Sequence, residues 1–375
     1  METIVKEVVS KKDLKKFINL PYDLYKGHQY HVPPLKFDEE GTLRKDKNPA
    51  FDYCEAKYWL AFQGDKVVGR IAGILNKSYI EKWHNKYVRF GWFDFIDDQA
   101  VVNALIGQVE NWAKELGMSA VHGPLGFTDL DHEGMLVEGF DQLGTLATIY
   151  NYPYYPTLLA NAGYVKDVDW LEYKITLPKV VPEKLEKIAN LVQKRYELSV
   201  IHAKKAKDIL PYATQLFHLI NAAYSDLYGV VPLTDKQISY YTKQYFSFIR
   251  PDFVSLVINK DGKLVGFGIT MPSLSLALQK AKGNLLPFGL FHLIKAIKKN
   301  NLGDLYLVAV DKELQGKGVN AIIMCELTKS YIKAGIEFAE SNPELETNRH
   351  VQAMWQYYDV QQHKRRRCFI KQLNN

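Results

Sequence analysis

Residues 58–76 and 253–273 read as two copies of one pattern. YWLAFQGDKVVGRIAGILN and FVSLVINKDGKLVGFGITMPS are each an apolar run, a short Gly/Asp turn and a second apolar run, the spacing of an antiparallel hairpin. Gly69 and Gly266 fall at the same place, directly after a Val-Val or Leu-Val pair. A further strand follows each hairpin, VRFGWFDFID and GDLYLVAVD, and then a helix that stops at a glycine, VNALIGQVENWAKELG to Gly117 and VNAIIMCELTKSYIKAG to Gly335. Another strand comes next in each half, SAVHGPLGF and IEFAES, then a short helix and final strands. A repeat of this length constrains the chain strongly, because both copies have to settle into one architecture.

The order of helix, antiparallel hairpin, strand, helix, strand, helix, strand predicts an α+β (mixed α/β) protein rather than an alternating parallel sheet. The 375 residues are enough for two domains. The boundary is placed near LPKVVPEKLEKIANLVQ, where Pro178 and Pro182 interrupt structure, giving domains 1–180 and 181–375.

Two segments have no counterpart. Residues 274–300 lengthen one connection, and 290–297 carry apolar residues at helical spacing with Lys295, Lys298 and Lys299 on another side. The pattern reads as a covering helix, or as a flap over an acyl or acceptor site, with a hint of a lipid-like partner. Residues 128–155 form a long loop rich in glycine and aromatic residues, read as one wall of a pocket. Its DLDHE cluster matches no standard metal spacing and reads as a polar loop, so no metal is expected.

Composition excludes several classes. With 47% hydrophobic and 24% charged residues the chain has ample material for a core. Three dispersed cysteines and a charged N-terminus without an apolar signal region indicate a cytoplasmic protein. The most apolar stretch, LLPFGLFHLIKAI, would reach only about 20 Å as a helix, so no transmembrane segment is expected. A net charge of +6 on 48 basic and 42 acidic residues argues against a nucleic-acid binder. The one concentrated basic run, HKRRR at 363–367, reads as a solvated strand edge, with a phosphate clamp as the sharper reading.

The chemistry concentrates in VAVDKELQGKGVN, residues 308–320. A strand that ends in Gln315-Gly316-Lys317-Gly318 and passes into a helix at Val319 and Asn320 points unpaired backbone N–H groups at an anion. The glycines let a phosphate approach the backbone. GxxxxGK[ST], GxGxxG after a first strand, HExxH and GxSxG are all absent.

The arrangement Gln-x-x-Gly-x-Asn between strand and helix resembles the pyrophosphate motif of the GNAT superfamily of acyl-CoA-dependent N-acyltransferases. The resemblance covers about 200–375 and, through the repeat, the first half more faintly. It extends to bacterial tandem-GNAT proteins that carry segments like NYPYYPTLLANAGYVK and ESNPELETN. It implies two tandem GNAT-like domains, each a mixed, mostly antiparallel sheet flanked by helices. It also implies acetyl-CoA or a longer acyl-CoA as co-substrate, and a small-molecule or lipid-like amine acceptor. In that family the thioester lies along the fourth strand, here with Val308 and Val310. Gln315, Gly316, Lys317, Gly318, Val319 and Asn320 would frame the pyrophosphate, and Asn348 would orient the cofactor. Glu340 is the expected base. Trp355 stands where the family places a tyrosine general acid, and Tyr357 or Tyr358 could substitute. The first half reads DFIDDQAVVNALIG at the motif, with aspartates in place of glycines, so its acyl-CoA site is expected to be lost. Two alternatives stay open: a non-catalytic ligand-binding protein that retains the fold, and an aminoacyl-tRNA-dependent transferase.

Overall fold

The computed structural model describes residues 2–246 and 249–373. Strands β1 (Ile4–Glu7), β2 (Cys54–Gln63), β3 (Lys66–Asn76), β4 (Tyr87–Phe95), β5 (Ala120–Gly123), β6 (Met135–Glu138) and β7 (Val165–Thr176) come from the first repeat. Strands β8 (Ser199–Ile201), β9 (Val254–Ile258), β10 (Leu264–Pro272), β11 (Leu302–Val310), β12 (Phe338–Glu340), β13 (Glu344–Leu345) and β14 (Asp359–Gln372) come from the second.

Contacts divide the chain into two compact units. The first holds Met1–Trp170, Leu274–Leu293 and Lys364–Asn375; the second holds Leu171–Ser273 and Ile294–His363. The repeat boundary near residue 180 and these units are different divisions, because strand pairing does not follow chain order. The end of β14 pairs with β5 through Phe369–Gly123 and with β6 through Arg367–Met135, so it belongs to the first unit. The end of β7 pairs with β12 through Ile175–Ala339 and belongs to the second. Residues 274–293 join the first unit, where Gln279 donates to the carbonyls of Gln29 and His31.

Each unit is a mixed, mostly antiparallel sheet flanked by helices. In the first, the order is β1-β2-β3-β4-β5-β14, with β4 and β5 parallel. The second runs β8-β9-β10-β11-β12-β7, with β11 and β12 parallel. The helix Gln99–Glu115 buries Val101, Val102, Leu105, Ile106, Val109 and Trp112 on its sheet, and the helix Val319–Ala334 buries Val319, Ile322, Ile323 and Leu327 on the other. The repeated glycine has a packing reason. A Cβ on Gly69 would lie 2.6 Å from the Leu105 side chain, and one on Gly266 would lie 3.1 Å from that of Val319, so both copies use glycine to bring helix against sheet.

The two unrepeated segments differ from one another in burial. Residues 128–155 contain β6 and, through Met135, Ile149, Tyr150 and Tyr155, wall a cavity of about 60 Å³ in the first unit. The helix Gly289–Lys298 is present as its spacing predicts, but it is not a covering helix, since only Gly289 and Leu293 are buried. The run HKRRR is not a solvated strand edge. It lies in β14 with Lys364 and Arg366 buried, and Arg365 and Arg367 both form ion pairs with Asp169.

Candidate functional site

In the second unit β11 and β12 pair only through Leu302–Phe338, Gly303–Ala339 and Asp304–Glu340, and β11 then continues to Val310 without β12. Just past the split β11 carries a bulge at Tyr306, between its Leu305 and Leu307 pairs with β10. Parallel strands that part in this way open a cleft between two backbones, and a bulge re-aims the strand at its mouth.

At the split two carboxylates sit side by side. Glu340 is buried, with Nε2 of His363 3.4 Å from its Oε1. Asp304 is buried beside it in register and accepts the Tyr306 hydroxyl at 3.3 Å. Burial and the adjacent Asp304 push the Tyr306 hydroxyl well above its ordinary range. Beyond the split lies Glu344, both of whose oxygens accept the Trp355 indole N–H, at 3.0 and 3.2 Å. Burial pushes Glu344 up to about 8, against the hydrogen bonds from Trp355 and Ser341.

Past the split β11 leads to the glycine turn. Gly316, with φ +72°, and Lys317 are exposed, and Gly318, with φ +87°, is the N-cap of Val319–Ala334 with no side chain capping the helix. A Cβ on Gly318 would lie 2.9 Å from the Val192 side chain, so both its backbone angle and its surroundings select glycine. Val319 is buried beneath the helix start and Asn320 is half-buried. An uncapped helix N-terminus beside an exposed glycine turn can take an anion at its free N–H groups. Asp311 at the strand end is balanced by Lys263 at 3.2 Å, and Lys312 is held by Asp226 at 2.6 Å.

The remaining sequence-predicted residues fall less simply. The carbonyl of Val308 accepts the Tyr224 hydroxyl at 2.9 Å, and that of Val310 accepts Nε2 of the motif's own Gln315 at 3.1 Å. Asn348 caps the short helix Arg349–Gln352, its Oδ1 accepting the Val351 N–H at 3.4 Å. Tyr357 and Tyr358 pack on the core of the second unit. The Tyr358 hydroxyl lies 2.7 Å from Thr328 Oγ1 on the motif helix, and burial pushes it up to about 12. The structure therefore groups Glu340 with His363, Asp304 and Tyr306, which the sequence reading did not single out. The one available signal was Asp304, a charge inside an otherwise apolar strand.

The first unit holds the same junction in a different state. Its parallel strands also part after three pairs, the last being Arg89–His122, and β4 is also bulged beyond it. The edge of β4 is then taken by side chains: the Phe95 N–H donates to the Tyr155 hydroxyl at 2.9 Å, and Tyr154 donates to the Phe95 carbonyl at 2.7 Å. Asp98 caps the helix Gln99–Glu115, accepting the Ala100 N–H at 2.9 Å and Gln63 Nε2 at 2.8 Å. Those two bonds hold Asp98 below the usual carboxylate range, the Gln63 bond being the larger cause.

Behind this edge the 60 Å³ cavity is lined by Tyr25, His31, Arg70, Trp92 and Asp94 among others. Arg70 bonds Asp94 at 2.7 Å, and burial lowers His31 to about 4, so it stays neutral. In the DLDHE loop burial raises Asp129 to about 6 and raises Asp131 and Glu133 as well. Elsewhere in this unit His122, Asp167 and Cys368 bring three donor atoms within 4.8 Å of one another, a grouping their sequence spacing did not reveal.

No family model matches the chain. It is 26% identical to protein YghO of Escherichia coli (strain K12) over 377 residues, which is 99% of this chain and 95% of that one. It is 28% identical over 309 residues to a bacterial ceramide synthase of Caulobacter vibrioides, covering 81% and 79% of the two chains. A tandem GNAT protein from the clavulanic acid biosynthesis pathway superposes with a TM-score of 0.57 at 12% identity, covering 100% of this chain and 99% of that one. A GCN5-related N-acetyltransferase from Sphaerobacter thermophilus superposes at 0.53 with 13% identity, covering 100% and 96%. What these solved structures share with the chain is architecture, and on that architecture, repeated in both units, the chain has the tandem GNAT fold.

Proposed function

We propose that the second unit transfers an acyl group from an acyl-CoA to the amine of a lipid-like acceptor by direct attack. The observation that carries this reading is that β11 runs on past its last pair with β12, from a buried carboxylate pair to an uncapped helix N-terminus. The pyrophosphate would rest on the N–H groups at Gly318 to Asn320, with Gln315, Gly316 and Lys317 around it. The pantetheine would lie along Val308 and Val310, with Asn348 holding the far side of the cofactor.

The amine attacks the thioester carbonyl as a neutral nucleophile, the C–N bond forms and the C–S bond breaks. Glu340 takes the amine proton, with His363 beside it to share that proton. The thiolate needs a proton in return. Trp355 cannot supply one, because an indole N–H is not a useful acid near neutral pH. Glu344, bonded to that indole and pushed up to about 8, is protonated at neutral pH and suits the role. Two carboxylates whose surroundings set them to different tasks form the acid–base pair that the reaction requires.

The acceptor class rests on the relative named as a bacterial ceramide synthase. A ceramide is the amide of a long-chain amino alcohol, so a long-chain amine is the acceptor to try first. Three buried cysteines outside any disulfide suit a reaction in the reducing cytoplasm.

Thermal unfolding with acetyl-CoA and palmitoyl-CoA tests the reading, on the wild type and on Gly318→Glu. Saturating ligand at 100 times its dissociation constant adds about 2.7 kcal/mol. A shift that the substitution abolishes, followed by thiol release with a long-chain amine, is the expected result; no shift with either thioester sinks the proposal. A second reading, a binding protein without turnover, is favoured by the engagement of Tyr358 with Thr328 and of Tyr224 and Gln315 with the β11 carbonyls. It predicts the same thermal shift with no thiol release.

A further inference from the structure

The segment from Leu286 to Lys299 presents an apolar surface to solvent. Leu286 is 77% exposed, Phe288 71% and Phe291 65%, with Leu290 and Ile294 at 43% each. The helix Gly289–Lys298 turns Gly289 and Leu293 inward, which sends Leu290, Phe291 and Ile294 to the opposite side. Scattered exposed leucines are ordinary, but five large apolar side chains within nine residues form a patch of the kind that marks an interaction site.

Along the chain, the charge flanking the patch is of one sign. From Gly262 to Gly303 the chain contains six lysines, at 263, 280, 282, 295, 298 and 299, and no aspartate or glutamate. Five of the six flank the patch on both sides, and all five are exposed. Exposed aromatic and aliphatic groups inside a fringe of lysines are the two halves of an interfacial anchor: apolar side chains enter the acyl boundary and ammonium groups meet anionic headgroups. A helix of 10 residues spans about 15 Å, half of a hydrocarbon core, so it can lie in the interface but not cross.

We infer that this segment docks the protein on the surface of an anionic lipid bilayer. The charge pattern selects this occupant over a second copy of the chain. A symmetric self-contact through the patch would set lysine fringe against lysine fringe, which costs energy that an anionic surface returns. The exposures of 65–77% also belong to side chains projecting outward, not to the walls of a groove that would hold one acyl chain.

The inference concerns binding alone, so its test is independent of acyl transfer. The full-length protein is co-sedimented with phosphatidylcholine vesicles and with vesicles that also contain phosphatidylglycerol. The wild type is expected to pellet with the anionic vesicles, weakly with the neutral ones, and less as salt is raised. Replacing Phe288 and Phe291 together by Ser removes the apolar insertion and should weaken partitioning by at least about tenfold. Lys295→Glu with Lys298→Glu should weaken it by about fivefold or more per lysine on anionic vesicles and little on neutral ones. All four side chains lie in an exposed segment, so unchanged unfolding temperatures will show that the variants fold.

Wild type that stays in the supernatant with anionic vesicles at low salt overturns the inference. So does vesicle binding that survives the phenylalanine pair. If the wild type is instead a dimer that the phenylalanine pair separates, with no vesicle binding, the patch is a contact between copies and the inference is wrong.

Discussion

The two units build the same strand–helix junction and finish it differently. In each, parallel strands pair three times and part, a bulge follows, and a helix begins just beyond the strand end. In the second unit the last pair is Asp304–Glu340, and the helix starts at an uncapped glycine. In the first unit the last pair is Arg89–His122, Tyr154 and Tyr155 hold the strand edge, and Asp98 caps the helix. His122 is fully buried, and burial lowers it to about 4, so it stays neutral where the other unit has a carboxylate. The lesson is that the fold fixes where a site is, while a handful of side chains decide whether it is a site. The first unit closes its junction with two tyrosine hydroxyls and a capping carboxylate, whereas the second engages β11 carbonyls from Tyr224 and Gln315 and leaves its helix start without a side-chain cap.

The largest effect that could break this comparison lies at the split. Glu340→Gln keeps the shape and removes the proposed base, so turnover should fall by about 10²–10⁴-fold. The acyl-CoA thermal shift should persist, because the glycine turn is untouched. Turnover within a few-fold of wild type, measured by thiol release, would remove Glu340 from the mechanism and leave the comparison one of ligand binding only.

Next in size is a pH effect with opposite signs in the two units. Glu344 is raised to about 8 by burial, so the folded state holds its proton where the unfolded chain has already lost it. Its contribution is full below the unfolded carboxylate range and is lost as pH rises toward about 8. Each unit of such a shift corresponds to about 1.4 kcal/mol, so the loss is on the order of a few kcal/mol. Glu344→Gln should flatten the fall in unfolding temperature between weakly acidic and weakly alkaline pH. A slope equal to that of the wild type would show that Glu344 ionises in the folded state as freely as in the unfolded one. Asp98, held low by Gln63 and the Ala100 N–H, works the other way: its contribution is present above the unfolded range and is lost on acidification.

The fold was legible in the sequence because it is written twice. Alternation, turn glycines and the helix stops at Gly117 and Gly335 need only local rules, and Gly335 does take a left-handed φ of +73° at the end of its helix. The glycine turn was legible for the same reason, since strand, turn and helix are contiguous. Side-chain groupings between distant segments were not. His363 read as the start of a basic run, yet the fold sets it beside Glu340, and Tyr155 gave no local sign that it would bond Phe95 across 60 positions. The lysine-flanked helix showed the right periodicity but hid its orientation, because a period reports that a helix has an apolar face and not what that face meets.

A smaller effect sharpens the filled state of the first unit. The Tyr155 ring stacks on Phe95 with centroids 3.9 Å apart, and its hydroxyl accepts the Phe95 N–H and lies 2.8 Å from the Tyr25 hydroxyl. Tyr155→Phe keeps the stack and orphans a buried N–H, which should cost about 1–3 kcal/mol in denaturant unfolding. The acyl-CoA shift should stay as large as in the wild type. A lost shift would mean that the first unit takes part in holding the ligand.

The smallest effect is also the most direct comparison of the two helix starts. Asp98→Ala removes a cap, so the first unit should lose about 1 kcal/mol, the usual value of an aspartate at that position. The substitution also removes the negative charge that would repel a pyrophosphate there. If charge alone had closed this junction, the variant would gain a second acyl-CoA site, visible as two equivalents in calorimetric titration. One equivalent is expected, because Tyr154 and Tyr155 still occupy both backbone groups of Phe95 and no glycine turn precedes Gln99. Two equivalents would show that the strand edge is not what distinguishes the units and that a single carboxylate separates a closed junction from an open one.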